Sequence, residues 1–201
     1  MAAMMKNVVK LQRSLVLAVL GILTLSAAAF AGEPTAFELV KEGNDHVGRD
    51  ARGRVVQIRS EKSVGTLVPN IWYVVFYDPD ATAMASEVKF AAGKKVAVKR
   101  PTRLLEPITG AHKQLDTTKF KLDSDKAIEI AKNEPLLKNL TLTATQLWLE
   151  GFGDVRQPVW KVRLWAAKLR KPSDTVDIGD LYISAEDGNI VKNDLKIHRV
   201  D

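Results

Sequence analysis

The chain has 201 residues, 30 Lys and Arg against 24 Asp and Glu, and no cysteine. A length of this order holds one mid-sized domain or two small ones. The missing cysteines exclude disulfides, so apolar burial must supply the stability, and a formal charge of +6 is too small to argue for a nucleic-acid partner.

Residues 1–31 read as a secretory signal peptide. Lys6, Lys10 and Arg13 form a basic n-region, Ser14 to Leu25 is apolar and uncharged, and Ala29 and Ala31 stand where a signal peptidase needs small side chains. The apolar run is short for a membrane span of about 20 residues, so cleavage after Ala31 is expected rather than a retained anchor. No Cys follows the site, which excludes a lipoprotein. The leader carries three positive charges and no negative one, so the mature chain, expected in the periplasm or secreted, keeps only +3 of the +6.

Residues 32–100 read as a first unit. Thr35 with Glu38 forms a capping box ahead of a helix carrying Phe37 and Val40, which Gly43 or Gly48 ends. Strands follow at Arg54–Ser60 and Ile71–Tyr77, and Asp78-Pro79-Asp80 stops the second. Glu87–Ala91 turns at Ala92-Gly93 into Lys95–Lys99. Residues 101–122, with Pro101, Pro107 and Gly110, lack a sustained period and read as a linker.

Residues 123–201 read as a second unit. Asp123-Ser124-Asp125 offers N-cap side chains to a helix over Lys126–Lys132, limited by Pro135. Leu140–Leu149 is strand-like, Gly151-Phe-Gly153 turns the chain, and Val159–Trp165 and Leu181–Ala185 are the strongest strands. Glu186-Asp187-Gly188-Asn189 is a hairpin turn, in which Gly tolerates the positive φ required.

The two units look alike. Ala36-Phe-Glu-Leu-Val-Lys41 matches Ala127-Ile-Glu-Ile-Ala-Lys132, and Ile71-Trp72-Tyr-Val74 matches Val159-Trp160-Lys-Val162. The expected fold class is therefore α+β, as two tandem αβββ units, each an antiparallel sheet packed on one helix. Side chains two apart in a strand share a face. Trp72, Val74 and Phe76, and likewise Trp160, Val162 and Leu164, should point at the helix. The other face then carries Tyr73, Val75 and Tyr77 in the first unit. In the second it carries Lys161, Arg163 and Trp165, beside Gln146, Trp148 and Glu150.

Lys126-Ala-Ile-Glu-Ile-Ala-Lys132, Pro158-Val-Trp-Lys-Val-Arg-Leu164 and Leu181-Tyr-Ile-Ser-Ala-Glu-Asp-Gly-Asn-Ile-Val191 together resemble a PepSY domain, a small exported αβββ module. The likeness spans about Asp123 to Leu195 and, more weakly, Phe37 to Val98, where Ala92-Gly93 replaces the acidic-Gly turn. PepSY domains occur in propeptides of thermolysin-type metalloproteases and in exported or membrane-tethered proteins. The resemblance implies binding or protease inhibition, and it brings no catalytic residues with it.

The residues themselves give no catalytic, cofactor or metal assignment. His46, His112 and His198 are scattered and fit no zinc spacing. Asp78-Pro-Asp80 and Asp123-Ser-Asp125 lack the further oxygen ligands of a calcium loop, and no G-x-S-x-G elbow is present. Lys94, Lys95, Lys99, Arg100 and Arg103 form one basic cluster, as a solvated edge strand or an anion site. Trp148, Trp165, Arg163 and Lys161 form the candidate protein-contact surface, because aromatic anchors in a polar rim mark interfaces. The competing reading packs that face on the first unit and buries both Trp.

The expected function is thus a non-catalytic, exported PepSY-like module binding a protein or peptide outside the cytoplasm, with restraint of a protease as its specific form. A structural or assembly protein of the periplasm, and a small ligand binder with a pocket between helix and sheet, are the alternatives.

Overall fold

The computed structural model describes residues 33–100 and 114–201. The leader expected over 1–31, and with it Arg103, His112 and most of the expected linker, lie outside the described residues. Of the described residues, no helix is long and apolar enough to cross a membrane.

Helix α1 (Ala36–Asn44) starts where the sequence puts it: the Thr35 amide donates to Glu38 Oε2 at 2.9 Å, one half of the capping box. Gly43 lies inside this helix rather than ending it. Its missing Cβ makes room for the Phe76 ring, which a side chain there would meet at 3.1 Å. Four strands follow, β1 (Val55–Ser60), β2 (Ile71–Tyr77), β3 (Ala85–Ala91) and β4 (Lys94–Lys99). Helix α2 (Ser124–Lys132) then leads into β5 (Leu142–Phe152), β6 (Gln157–Ala167), β7 (Thr175–Ser184) and β8 (Ile190–Leu195).

All eight strands belong to one antiparallel sheet in the order β4-β3-β2-β1-β5-β6-β7-β8. This overturns the expectation of two tandem αβββ units, each with a sheet on its own helix. Each half supplies four strands, because Lys94–Lys99 and Ile190–Leu195 are full members of the ladder rather than hairpin extensions. The first strands of the two halves then pair, Ile58 with Leu149 and Arg59 with Trp148. The physical reason is the edge. A central strand left unpaired would carry a row of unsatisfied amides and carbonyls beside the core. Joining β1 to β5 removes two such edges at once.

Hydroxyls extend that short seam. Ser60 Oγ accepts from the Leu147 amide at 2.9 Å, and Ser63 Oγ accepts from the Thr145 amide at 2.9 Å. Thr145 Oγ1 donates to the Leu67 carbonyl at 2.6 Å, and the Ser63 amide to the Thr145 carbonyl at 2.8 Å. Ser60, Ser63 and Thr145 are all buried, so each bond here spares a buried polar group.

Both helices cover one face. Leu39 and Val40 of α1, and Ala127, Ile128 and Ala131 of α2, pack into one cluster with Ile58, Val74, Phe76, Leu147, Val162 and Leu181. Trp72 and Trp160 point into it, as strand alternation predicts, with their rings edge to face at 6.5 Å. Each indole N–H is satisfied inside the core, Trp72 by the Pro69 carbonyl at 3.0 Å and Trp160 by the Leu122 carbonyl at 2.8 Å. The expected linker is structural at its C-terminal end. Phe120 stacks on Phe37 at 4.8 Å, and the Leu115 amide bonds the Val55 carbonyl.

The two helix N-termini meet. Ser124 Oγ accepts from the Ala36 amide at 3.1 Å, while the Asp123 carboxylate accepts from the Phe37 amide at 3.2 Å and from the Ser124 amide at 2.6 Å. One carboxylate therefore serves orphan donors of both helices. Burial pushes the Asp123 carboxyl above the usual aspartate range, against the pull of its hydrogen bonds from Thr35, Ser124 and Phe37.

Candidate functional site: the open face of the sheet

The helices leave the opposite sheet face to half-buried polar and aromatic side chains. Register decides which of them touch. Lys89 on β3 lies opposite Tyr73 on β2, Tyr73 opposite Arg59 on β1, and Arg59 opposite Trp148 on β5. Trp148 lies opposite Lys161 on β6, Lys161 opposite Tyr182 on β7, and Tyr182 opposite Lys192 on β8. Cation and ring thus alternate along one row crossing seven strands. At about 4.8 Å between strands, this row is close to 30 Å long.

The contacts follow the register. Arg59 sits 4.0 Å and Lys89 5.0 Å from the Tyr73 ring centre. Lys161 and Arg163 lie 5.5 and 5.6 Å from that of Trp148, and Lys161 and Lys192 lie 5.8 and 5.1 Å from that of Tyr182. Each such pair is worth about 0.5–1 kcal/mol at an exposed site.

Acids close the network. Glu87 binds Arg59, Glu61 binds both the Tyr73 hydroxyl and Lys89, and Lys192 pairs with Asp194. Asp180 accepts from Arg163 Nε at 2.8 Å and lies 3.4 Å from Lys161 Nζ. Burial works against the Asp180 charge, but the hydrogen bond from Arg163 and the charges of Lys161 and Arg163 outweigh it and hold its pKa below the usual aspartate range. The Tyr73 hydroxyl similarly lowers the Glu61 carboxyl. Charges of both signs interleave, so the face has no single sign.

Of the four residues singled out from sequence, Trp148, Lys161 and Arg163 come together in this network. Trp165 stands apart. A register shift between Leu164 and Trp165 sets it opposite Asp177, and its ring lies under Lys62 at 4.3 Å. Trp148 and Trp165 are both half-buried, and the halves meet edge to edge within one sheet rather than face to face. Alternation puts Tyr73 on an outer face, but the sequence reading does not single out Arg59, Lys89, Tyr182 and Lys192. Strand alternation alone could have put them on a face, whereas their row depends on which strands pair.

A bulge between Val55 and Gln57 turns Val56 out of the main core, where it joins Val75, Ala85 and Tyr77 in a small apolar patch. On the helix side an open groove of about 520 Å³ is lined by Phe37, Glu38, Lys41, Phe120, Lys121 and Asp123 among others. It lies where the helix N-termini meet, not between helix and sheet.

The remaining candidates take local roles. His46 lies 3.7 Å from Glu42 at the end of α1, and His198 is exposed in the last turn. Asp78 accepts from Ser86 and from the Asp80 amide, as a turn residue does. Lys94, Lys95 and Lys99 are exposed on the edge strand β4. Among the described residues no group of three or more His, Asp and Glu side chains could hold a metal ion. No family model, curated protein or solved structure matches this chain.

Proposed function

We propose that this chain is a non-catalytic binding module, acting outside the cytoplasm, that presents the open face of its sheet to a protein partner. The observation that carries the reading is the row Lys89-Tyr73-Arg59-Trp148-Lys161-Tyr182-Lys192. Tyr, Trp and Arg are the residues that supply most binding energy at protein interfaces. Here the ion pairs and ring contacts already hold them in place, so little side-chain entropy remains to be lost on binding. The interleaved signs favour a partner with mixed charge over a polyanion or an anionic membrane surface. Among protein partners, an extracytoplasmic protease is the class that the PepSY resemblance implies.

The test is capture of partners from the chain's own envelope fraction by the wild type and by Trp148→Ala and Trp165→Ala variants. Both side chains lie on a half-open face, so each variant should lower the melting temperature by only a few degrees, an effect of about 1 kcal/mol. Trp148→Ala should lose the captured protein. Full retention of every partner by a folded Trp148→Ala/Arg59→Ala variant would remove the face from consideration, and a large loss of stability would make Trp148 a core residue.

A further inference from the structure

The two edges of the sheet differ in a way that the face does not explain. Edge strand β4 carries Lys94, Lys95 and Lys99 and no acid. Pairing two copies of β4 would bring like charges together without an attractive pair, which is how natural sheets keep an edge free. Edge strand β8 is built otherwise. Its sequence is Ile190-Val-Lys-Asn-Asp-Leu195, with Lys192 and Asp194 flanking Asn193. Their register partners Tyr182 and Asp180 place both charged side chains on the open face.

We propose that β8 is a self-pairing edge, through which two copies of this chain join antiparallel about a twofold axis at Asn193. Residues related by that axis lie opposite one another, so Lys192 of each copy faces Asp194 of the other. Two opposite-charge cross-strand pairs form by symmetry. A twofold centred on Lys192 or on Asp194 would instead set like charges together, and one on Leu195 would pair Asp194 with Lys196 but run off the strand into the turn at Ile197–Val200, so charge and strand length together select the register.

Backbone geometry agrees with this choice. The Lys196 amide donates to the Ile178 carbonyl at 2.7 Å, and these residues continue the register in which Leu195 faces Gly179. Residues 178 and 196 are therefore a hydrogen-bonded pair, and in an antiparallel ladder such pairs alternate. Asp194 and Lys192 then turn their amides and carbonyls towards β7, while Asn193 and Leu195 turn theirs to the free edge. That is the orientation a pair of Asn193 residues on the axis requires. The Leu195 amide is meanwhile closed locally by Asn193 Oδ1 at 3.1 Å, a bond that an incoming strand replaces. Apolar surface accompanies the edge. Ile190 and Val191 are 40% and 41% exposed, Ile197, just past the strand, is 37% exposed, and Leu136, in the turn whose Glu134 reaches Asn193, is 50% exposed.

The inference concerns the edge and meets the proposed contact face only at Lys192, so self-association of the protein alone, with no partner present, reads the edge and not the face. Sedimentation equilibrium of the full protein over a range of concentrations tests it. The wild type should be a reversible dimer. Lys192→Asp sets two acids opposite one another on both sides of the axis and should weaken self-association roughly tenfold or more. Asn193→Pro removes the amide needed at the axis and should leave a monomer. Lys192→Asp mixed with Asp194→Lys restores both cross-axis pairs while the pair within each chain stays broken, so the mixture should recover dimerisation, which no repair of folding within one chain can imitate. A wild type that stays monomeric throughout, a dimer indifferent to Lys192→Asp and Asn193→Pro, or a mixture of Lys192→Asp with Asp194→Lys that fails to recover would each overturn the proposal.

Discussion

Ala92 shows how one residue is strained by the turn it must make. Ala92 and Gly93 join β3 to β4, and both have positive φ, 47° and 71°. A two-residue hairpin loop of this kind matches the twist of the strands, but only when both residues enter the left-handed region. Gly93 does so freely. Ala92 meets a clash between its Cβ and the neighbouring carbonyl that costs about 1–2 kcal/mol. Asn tolerates that conformation, so Ala92→Asn should raise stability by about 0.5–1 kcal/mol in urea melts, with an unchanged m-value. The sequence marks the turn through Gly93 but disguises its first position, because Ala is ordinary almost everywhere else.

At the level of elements, local chemistry reads well and partnership reads poorly. The Thr35 capping box, the Asp123 N-cap, the inward Trp72 and Trp160 and the stop at Asp78 can all be located within short windows. What those windows omit is the second helix reached by the same cap. Asp123 looks like a residue that starts α2, yet it also serves the Phe37 amide of α1. Removing a cap costs about 1 kcal/mol. Asp123→Ala should therefore destabilise the protein by about 2 kcal/mol, whereas Asp123→Asn, which keeps an acceptor, should lose distinctly less. Thermal melts of the two variants side by side distinguish a shared cap from a single one, which would cost half as much. The contact face follows the same logic. Trp148, Lys161 and Arg163 were visible as one face because they lie on neighbouring strands of one hairpin. Arg59 and Tyr73 joined them only through the pairing of β1 with β5, made by residues some 90 positions apart in the chain.

For the molecule as a whole, the decisive fact is that one sheet and one core are shared by both halves. The described residues between 33 and 201 form one compact unit. Composition and internal likeness argue equally well for two small sheets, since each half has a helix and enough apolar strands to build one. Edge satisfaction and the contact of Trp72 with Trp160 decide otherwise. Unfolding in urea should accordingly be a single transition, with indole fluorescence and far-ultraviolet circular dichroism falling on one curve. Two separated transitions would mean that the halves hold together only loosely. The shared seam also sets an order of events during synthesis. A ribosome finishes the first half long before Leu147 and Leu149 exist, so until then β1 has a bare flank and Trp72 lacks its aromatic neighbour. Such a half-made chain exposes strand edges and apolar surface that invite aggregation. If the chain is exported, this delay becomes an asset, because a polypeptide unable to close prematurely stays threadable until its last strands have emerged.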